Sequence, residues 1–170
     1  MKVIIRAPLL SISGYGIHSR QVFEWLSTIP DIDITADIVN WGMTAWNLNK
    51  NDHDGLIGKI MASSKQIEGT YDMSFQVQLP DEWDSNLAKK NIGISAFVET
   101  DRCNPQWIDK CNEMDAIIVP STFTKTVAKI SGPLETPVYV VPEWYNEKID
   151  TDIKPLQIKL NSKFNFLMIG

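Results

Sequence analysis

Short β-branched runs, each cut off by proline and separated by stretches of helical period, constrain this chain more than any other feature. Lys2–Arg6 is such a run and ends at Ala7-Pro8; Ala116–Val119 ends at Pro120, and Pro137–Val141 at Pro142. Compact apolar runs bounded by turn residues read as buried strands. Between them the period changes to that of a helix. Val22, Trp25, Leu26 and Ile29 share one face of a stretch from about Ile17 to Thr28, with Pro30 beyond its end. Asn104 caps a second helix with Pro105 at its first position and Trp107, Cys111 and Met114 on one face. Ser121 caps a third, with Phe123, Val127 and Ile130 as its stripe and Gly132 past its end. Strands alternating with helices at this pitch predict an α/β fold, a Rossmann-like doubly wound parallel sheet.

Ile32–Val39, Met73–Leu79 and Asn91–Val98 supply the second, third and fourth strands, and Leu56–Ser64 a weaker helix. After Pro142 the periodicity lapses into a polar stretch, Glu143–Ser162, and Phe164–Gly170 then reads as the start of a new buried strand. A lone apolar strand behind a linker has nothing to pair with, so the expectation is that further chain follows. Residues 1–160 are expected to form one domain with its linker, and residues 161–170 the first strand of a second. A core of ordinary size fits 170 residues.

The formal charge of −5 gives no field to attract a phosphate backbone, which argues against nucleic acid as a partner. Two cysteines eight residues apart and two histidines do not make a metal knuckle, so no metal site is expected. Cys111, on a helix face, reads as a small buried hydrophobe. The start, MKVIIRAP, is too short in apolar residues for a signal peptide, and no run approaches a spanning helix, so a cytoplasmic protein is expected.

Ligands of open parallel sheets bind beyond the carboxyl ends of the strands, where strand order reverses. With the order 3-2-1-4-5 that point falls between the first and fourth strands, at the loops Ala7–Gly16 and Glu99–Asn104. In the first loop Gly14 and Gly16 allow close backbone approach, and the helix start offers N–H groups to an anion. His18, one turn on, can serve as acid, base or donor. The second loop carries Glu99, Asp101 and Arg102, charges that pair with each other in solvent or work at a site. Trp41 and Trp46 lie in a polar stretch that reads as a surface loop carrying aromatic residues. A nicotinamide site fits poorly, because Ser19 replaces the third glycine and the turn after the first strand is long.

Several segments in order resemble retaining glycosyltransferases of the GT-B fold, the large group-1, family-4-like class. They are Gly14-Tyr15-Gly16-Ile17-His18-Ser19-Arg20, Gln78-Leu79-Pro80-Asp81-Glu82-Trp83, Asn91-Ile92-Gly93-Ile94, and Glu99-Thr100-Asp101-Arg102. Pro105-Gln106-Trp107-Ile108, Val119-Pro120-Ser121-Thr122-Phe123 and Val141-Pro142-Glu143 follow. The resemblance implies two Rossmann-like domains facing across a cleft, this chain being the N-terminal, acceptor-side one. It implies transfer of a sugar from a nucleotide-sugar donor to a sugar or other hydroxyl acceptor with retention, and no cofactor beyond that co-substrate. Carried onto these residues, Gly14 and Gly16 lie near the donor phosphates, and His18, Glu99 and Asp101 are the catalytic candidates. Tyr15, Arg20, Trp41, Trp46, Arg102, Ser121 and Glu143 are then acceptor or cleft residues. Two departures stand out: Trp144 replaces the glycine of a Pro-Glu-Gly turn, and the Glu99–Arg102 cluster stands where many relatives carry a histidine. The alternatives are a non-catalytic binding domain of the same fold and a nucleotide-dependent oxidoreductase.

Overall fold

A computed structural model of the chain describes residues 1–65, 69–98, 100–145, 154, 157–159 and 162–168. Six strands form one parallel sheet: β1 (Lys2–Ala7), β2 (Asp33–Ile38), β3 (Tyr71–Val77), β4 (Ala88–Ile94), β5 (Ala116–Val119) and β6 (Val138–Val140). Among the described residues four helices cover it: α1 (Gly14–Ser27), α2 (Leu56–Ser63), α3 (Pro105–Asn112) and α4 (Thr122–Ser131). The doubly wound α/β architecture read from the alternation is the one observed.

Alternate side chains of each strand go to opposite faces, so the sheet carries two cores. On one face Val3, Ile5, Phe75 and Val77 meet Phe23 and Leu26 of α1 and Ile57 and Ile60 of α2. On the other, Ile117, Val119 and Val138 meet Ile108 and Cys111 of α3 and Val127 and Ala128 of α4. The second face also holds a polar stripe. Ser74 donates to Asn91 (2.8 Å), while the Gln76 amide donates to the Asp84 carbonyl and accepts from its N–H, both at 2.8 Å. These bonds hold the turn after β3, where the 3-10 segment Pro80–Glu82 leads to Trp83, against the sheet.

Strand order departs from the expected 3-2-1-4-5. It runs β2-β1-β3-β4-β5-β6, so β3 lies between β1 and β4, and the first and fourth strands are not neighbours. Alternation of apolar residues fixes which side chains face inward but not which strand lies beside which. Residues buried on both faces of β3, Phe75 and Val77 on one and Ser74 and Gln76 on the other, are what an interior strand needs. The reversal point therefore falls between β1 and β3.

Residues 164–168 differ from the buried strand expected of Phe164–Gly170: they form no strand, and Phe164, Phe166, Leu167 and Met168 are exposed. A strand requires a neighbour to complete its ladder, and none of the sheet's edges pairs with them. Ile169 and Gly170 lie outside the described residues, as does most of the expected linker.

Candidate functional site

The helix after β1 begins three residues earlier than its apolar pattern indicates, because Ser13 is an N-cap. Its Oγ accepts from the Gly16 N–H at 3.0 Å, and its carbonyl accepts from Ile17 at 2.9 Å. Gly14 and Gly16 thus belong to the first turn of α1 rather than to a loop before it. The N–H groups of Gly14 and Tyr15 remain without intrahelical partners at the carboxyl end of the sheet.

The two glycines have different reasons to be there. A Cβ on Gly14 would meet nothing within 4 Å. A Cβ on Gly16 would stand 2.1 Å from the Ser11 carbonyl oxygen and 2.9 Å from its carbon, so Gly16 lets α1 close onto the loop that follows β1. Arg20 faces inward as well. Its guanidinium donates to the carbonyls of Leu9 and Ser11, both at 3.0 Å, which fixes that loop from beneath.

Tyr15 joins the first-strand loop to the loop after β4. Its hydroxyl bonds Ser95 Oγ at 3.0 Å and accepts from the Ala96 N–H at 3.2 Å, and burial pushes the phenol above its usual range. Its ring stacks on Trp41 at 4.1 Å. Trp46 pairs by its backbone with Ser11, while Asn47 donates to Leu10 at 2.7 Å. Both tryptophans therefore lie at the carboxyl end of the sheet, and Trp41 borders an open hollow of about 500 Å³ with Met43, Leu79 and Glu82.

The carboxylate that His18 meets belongs to the stretch after β6. Its Nδ1 lies 3.3 Å from Glu143 Oε1, and one α1 turn further the Gln21 amide donates to the Trp144 carbonyl at 2.7 Å. After β6 the chain pairs once more through Val141 with Val119 (2.9 Å) and then lies against α1 through these two ties. Burial lowers the His18 pKa, and the Glu143 charge offsets this only in part. The imidazole is consequently neutral near pH 7 and able to take a proton.

Arg102 points elsewhere: its guanidinium caps the carbonyl of Ile130 at the end of α4, and the neighbouring Cys103 N–H donates to Ser131 Oγ at 2.9 Å. Asp101 is exposed, and Glu99 lies outside the described residues. Adjacency of this cluster to His18 rested on the first and fourth strands being neighbours, which they are not. Ser121 caps α4, its Oγ accepting from Thr124 N–H at 3.1 Å.

Beneath the His18–Glu143 contact runs a groove of about 260 Å³. His18, Gln21, Val22 and Trp25 form its α1 wall, Ile118 part of its floor, and Trp144 the opposite lip. Sequence reading missed Gln21 and Trp144. The spacing of 18, 21, 22 and 25 is a single helical stripe and was the available signal.

Among the described residues no three His, Cys, Asp or Glu side chains stand close enough to hold a metal ion, and no helix is long and apolar enough to cross a membrane. Fold and site together define a Rossmann-like α/β domain with a capped, glycine-bearing helix start and, beside it, a mostly buried histidine paired with an exposed glutamate. No protein-family model matches the sequence, and neither a curated protein nor a solved structure matches it significantly.

Proposed function

We propose that this chain supplies the N-terminal half of the cleft of a retaining, nucleotide-sugar-dependent glycosyltransferase. In this reading residues 161–170 lead into a second domain that grips the donor. The bond between the sugar's anomeric carbon and the diphosphate breaks, and a new bond forms from that carbon to an acceptor hydroxyl. The nucleoside diphosphate departs with the bonding pair, and the hydroxyl proton passes to a base. The transition state gathers negative charge on the leaving phosphate, which the free N–H groups of Gly14 and Tyr15 are suited to meet.

The observation that carries the reading is His18: neutral, mostly buried, held by Glu143, and one helical turn from those N–H groups. It supports a proton-accepting role beside an anion-binding helix start. The nucleotide sugar is the co-substrate, and the reading needs no other cofactor.

One observation favours a second reading, a non-catalytic domain. The Gln21–Trp144 bond next to His18–Glu143 makes both contacts look like a clasp for residues 141–144. The test is transfer from UDP- and GDP-sugars by the full-length protein and by its His18→Ala variant. The enzymatic reading expects no turnover by residues 1–170 alone, and a kcat loss in the variant, with folding intact, of roughly a hundredfold. Activity lost only in proportion to stability would leave the clasp as the sole role of His18 and overturn the proposal.

A further inference from the structure

The sheet face under α1 is only partly covered. Parallel sheets are ordinarily buried on both faces, yet α1 and α2 stand over β2, β1 and β3, and Ile118 of β5 on the same face is only half-buried. Trp25, Val141 and Trp144 around it are each about half exposed, at 46%, 51% and 50%. The groove they border is apolar along its length and polar at one end, where His18, Gln21 and Glu143 meet.

That polar end is incomplete. The Trp144 carbonyl can only accept, so the Gln21 amide must present its nitrogen there, and the amide cannot be turned over without losing the bond. Gln21 Oε1 is then left buried, with no hydrogen-bond partner among the described residues. A buried acceptor without a donor is costly, and a ligand that brings a donor removes the cost.

We infer that this groove binds an alcohol or phenol, the apolar chain or ring lying over Ile118 between Trp25 and Trp144 and the hydroxyl donating to Gln21 Oε1. The Glu143 carboxylate at the same end disfavours a ligand that ends in a carboxylate. A volume of about 260 Å³ holds on the order of nine non-hydrogen atoms at ~30 Å³ each, the size of an octyl chain or a substituted phenyl ring. His18 lies one turn from Gln21, on the same stripe of α1. The bound hydroxyl is thereby brought towards the neutral imidazole, and the ligand is the acceptor of the transfer; this last step rests on the proposed function.

The test is titration of the 170-residue chain with 1-octanol, octyl methyl ether and octanoate, followed by tryptophan fluorescence and ligand-observed NMR. Saturable octanol binding is expected, roughly threefold to tenfold tighter than the ether, which has no hydroxyl to donate. Octanoate should bind weakest. Gln21→Met should erase the preference for alcohol over ether, and Val22→Phe, which fills the groove from its rim, should abolish binding of both. Circular dichroism establishes that each variant is folded. No saturable octanol binding to the wild-type chain overturns the inference, as does binding that survives Val22→Phe or an alcohol preference that survives Gln21→Met. If octanol binds while the full-length protein glycosylates no hydroxyl, the glycosyltransfer reading fails and the groove stands. Transfer to sugars without octanol binding fails the groove alone.

Discussion

Gly16→Ala separates the structural from the ligand-binding reason for the glycines of α1. The added methyl would lie 2.1 Å from the Ser11 carbonyl oxygen, 2.9 Å from its carbon and 3.2 Å from an Arg20 guanidinium nitrogen. A backbone carbonyl cannot swing aside as a side-chain tip can. The loop must therefore retreat from α1, and its carbonyls retreat from the Arg20 guanidinium that binds Leu9 and Ser11. Overpacking of this kind costs about 1–3 kcal/mol, strained hydrogen bonds add to it, and the helix gains up to about 1 kcal/mol from replacing glycine by alanine. The net expectation is a loss of about 2 kcal/mol, which for a domain of this size lowers Tm by about 4–8 °C. Gly14→Ala is the control. Its methyl meets open space, so it should leave Tm unchanged or raise it by about 1–3 °C. Thermal unfolding followed by circular dichroism measures both. A Gly16→Ala protein as stable as wild type, or a Gly14→Ala protein equally damaged, would refute the packing argument.

Three further outcomes follow from named contacts. Gly93→Ala places a methyl 2.6 Å from the Trp83 ring, so Trp83 must leave its site against Phe97; a change in near-ultraviolet dichroism and a loss of about 1–3 kcal/mol are expected, and an unchanged spectrum would contradict this. His18 has a folded-state pKa below its ordinary 6.5, so the unfolded chain binds the proton first and stability falls as pH drops through 6.5 towards the folded value. His18→Gln should flatten that decline, and parallel Tm–pH curves for the two proteins would contradict it. Burial pushes the Cys111 thiol up to about 12, so iodoacetamide at pH 8 should leave it unmodified until the fold is opened with denaturant, as peptide mass mapping would show.

How much of this was legible beforehand varies with the kind of interaction. Each strand and helix is marked locally, by β-branched runs, by Pro120 and Pro142 as stops, and by Asn104 and Ser121 as caps, so the architecture could be read directly. The Ser13 cap was present in the sequence too, but the first apolar residue of the stripe, Ile17, drew the predicted start of α1 three residues too late. His18 and Glu143 were each singled out, yet 125 positions separate them, and nothing local pairs them. Their meeting depends on where β6 delivers the chain and on the direction residues 141–144 take after Val141. The cluster at Glu99–Arg102 was conspicuous by charge, and Arg102 turned out to cap α4.

The sequence by itself determined where the strands and helices of the sheet domain lie, because period and punctuation are properties of neighbouring residues. It did not determine which apolar side chains are covered: Trp25, Phe123 and Ile130 of the expected helix stripes are each about half exposed. Strand order, the partner of His18 and the unfilled acceptor on Gln21 were decided only by the tertiary structure. Each depends on contacts between residues far apart in the chain, and the physical terms that select among such contacts, burial of both faces of β3 and desolvation around α1, exist only once the sheet is assembled.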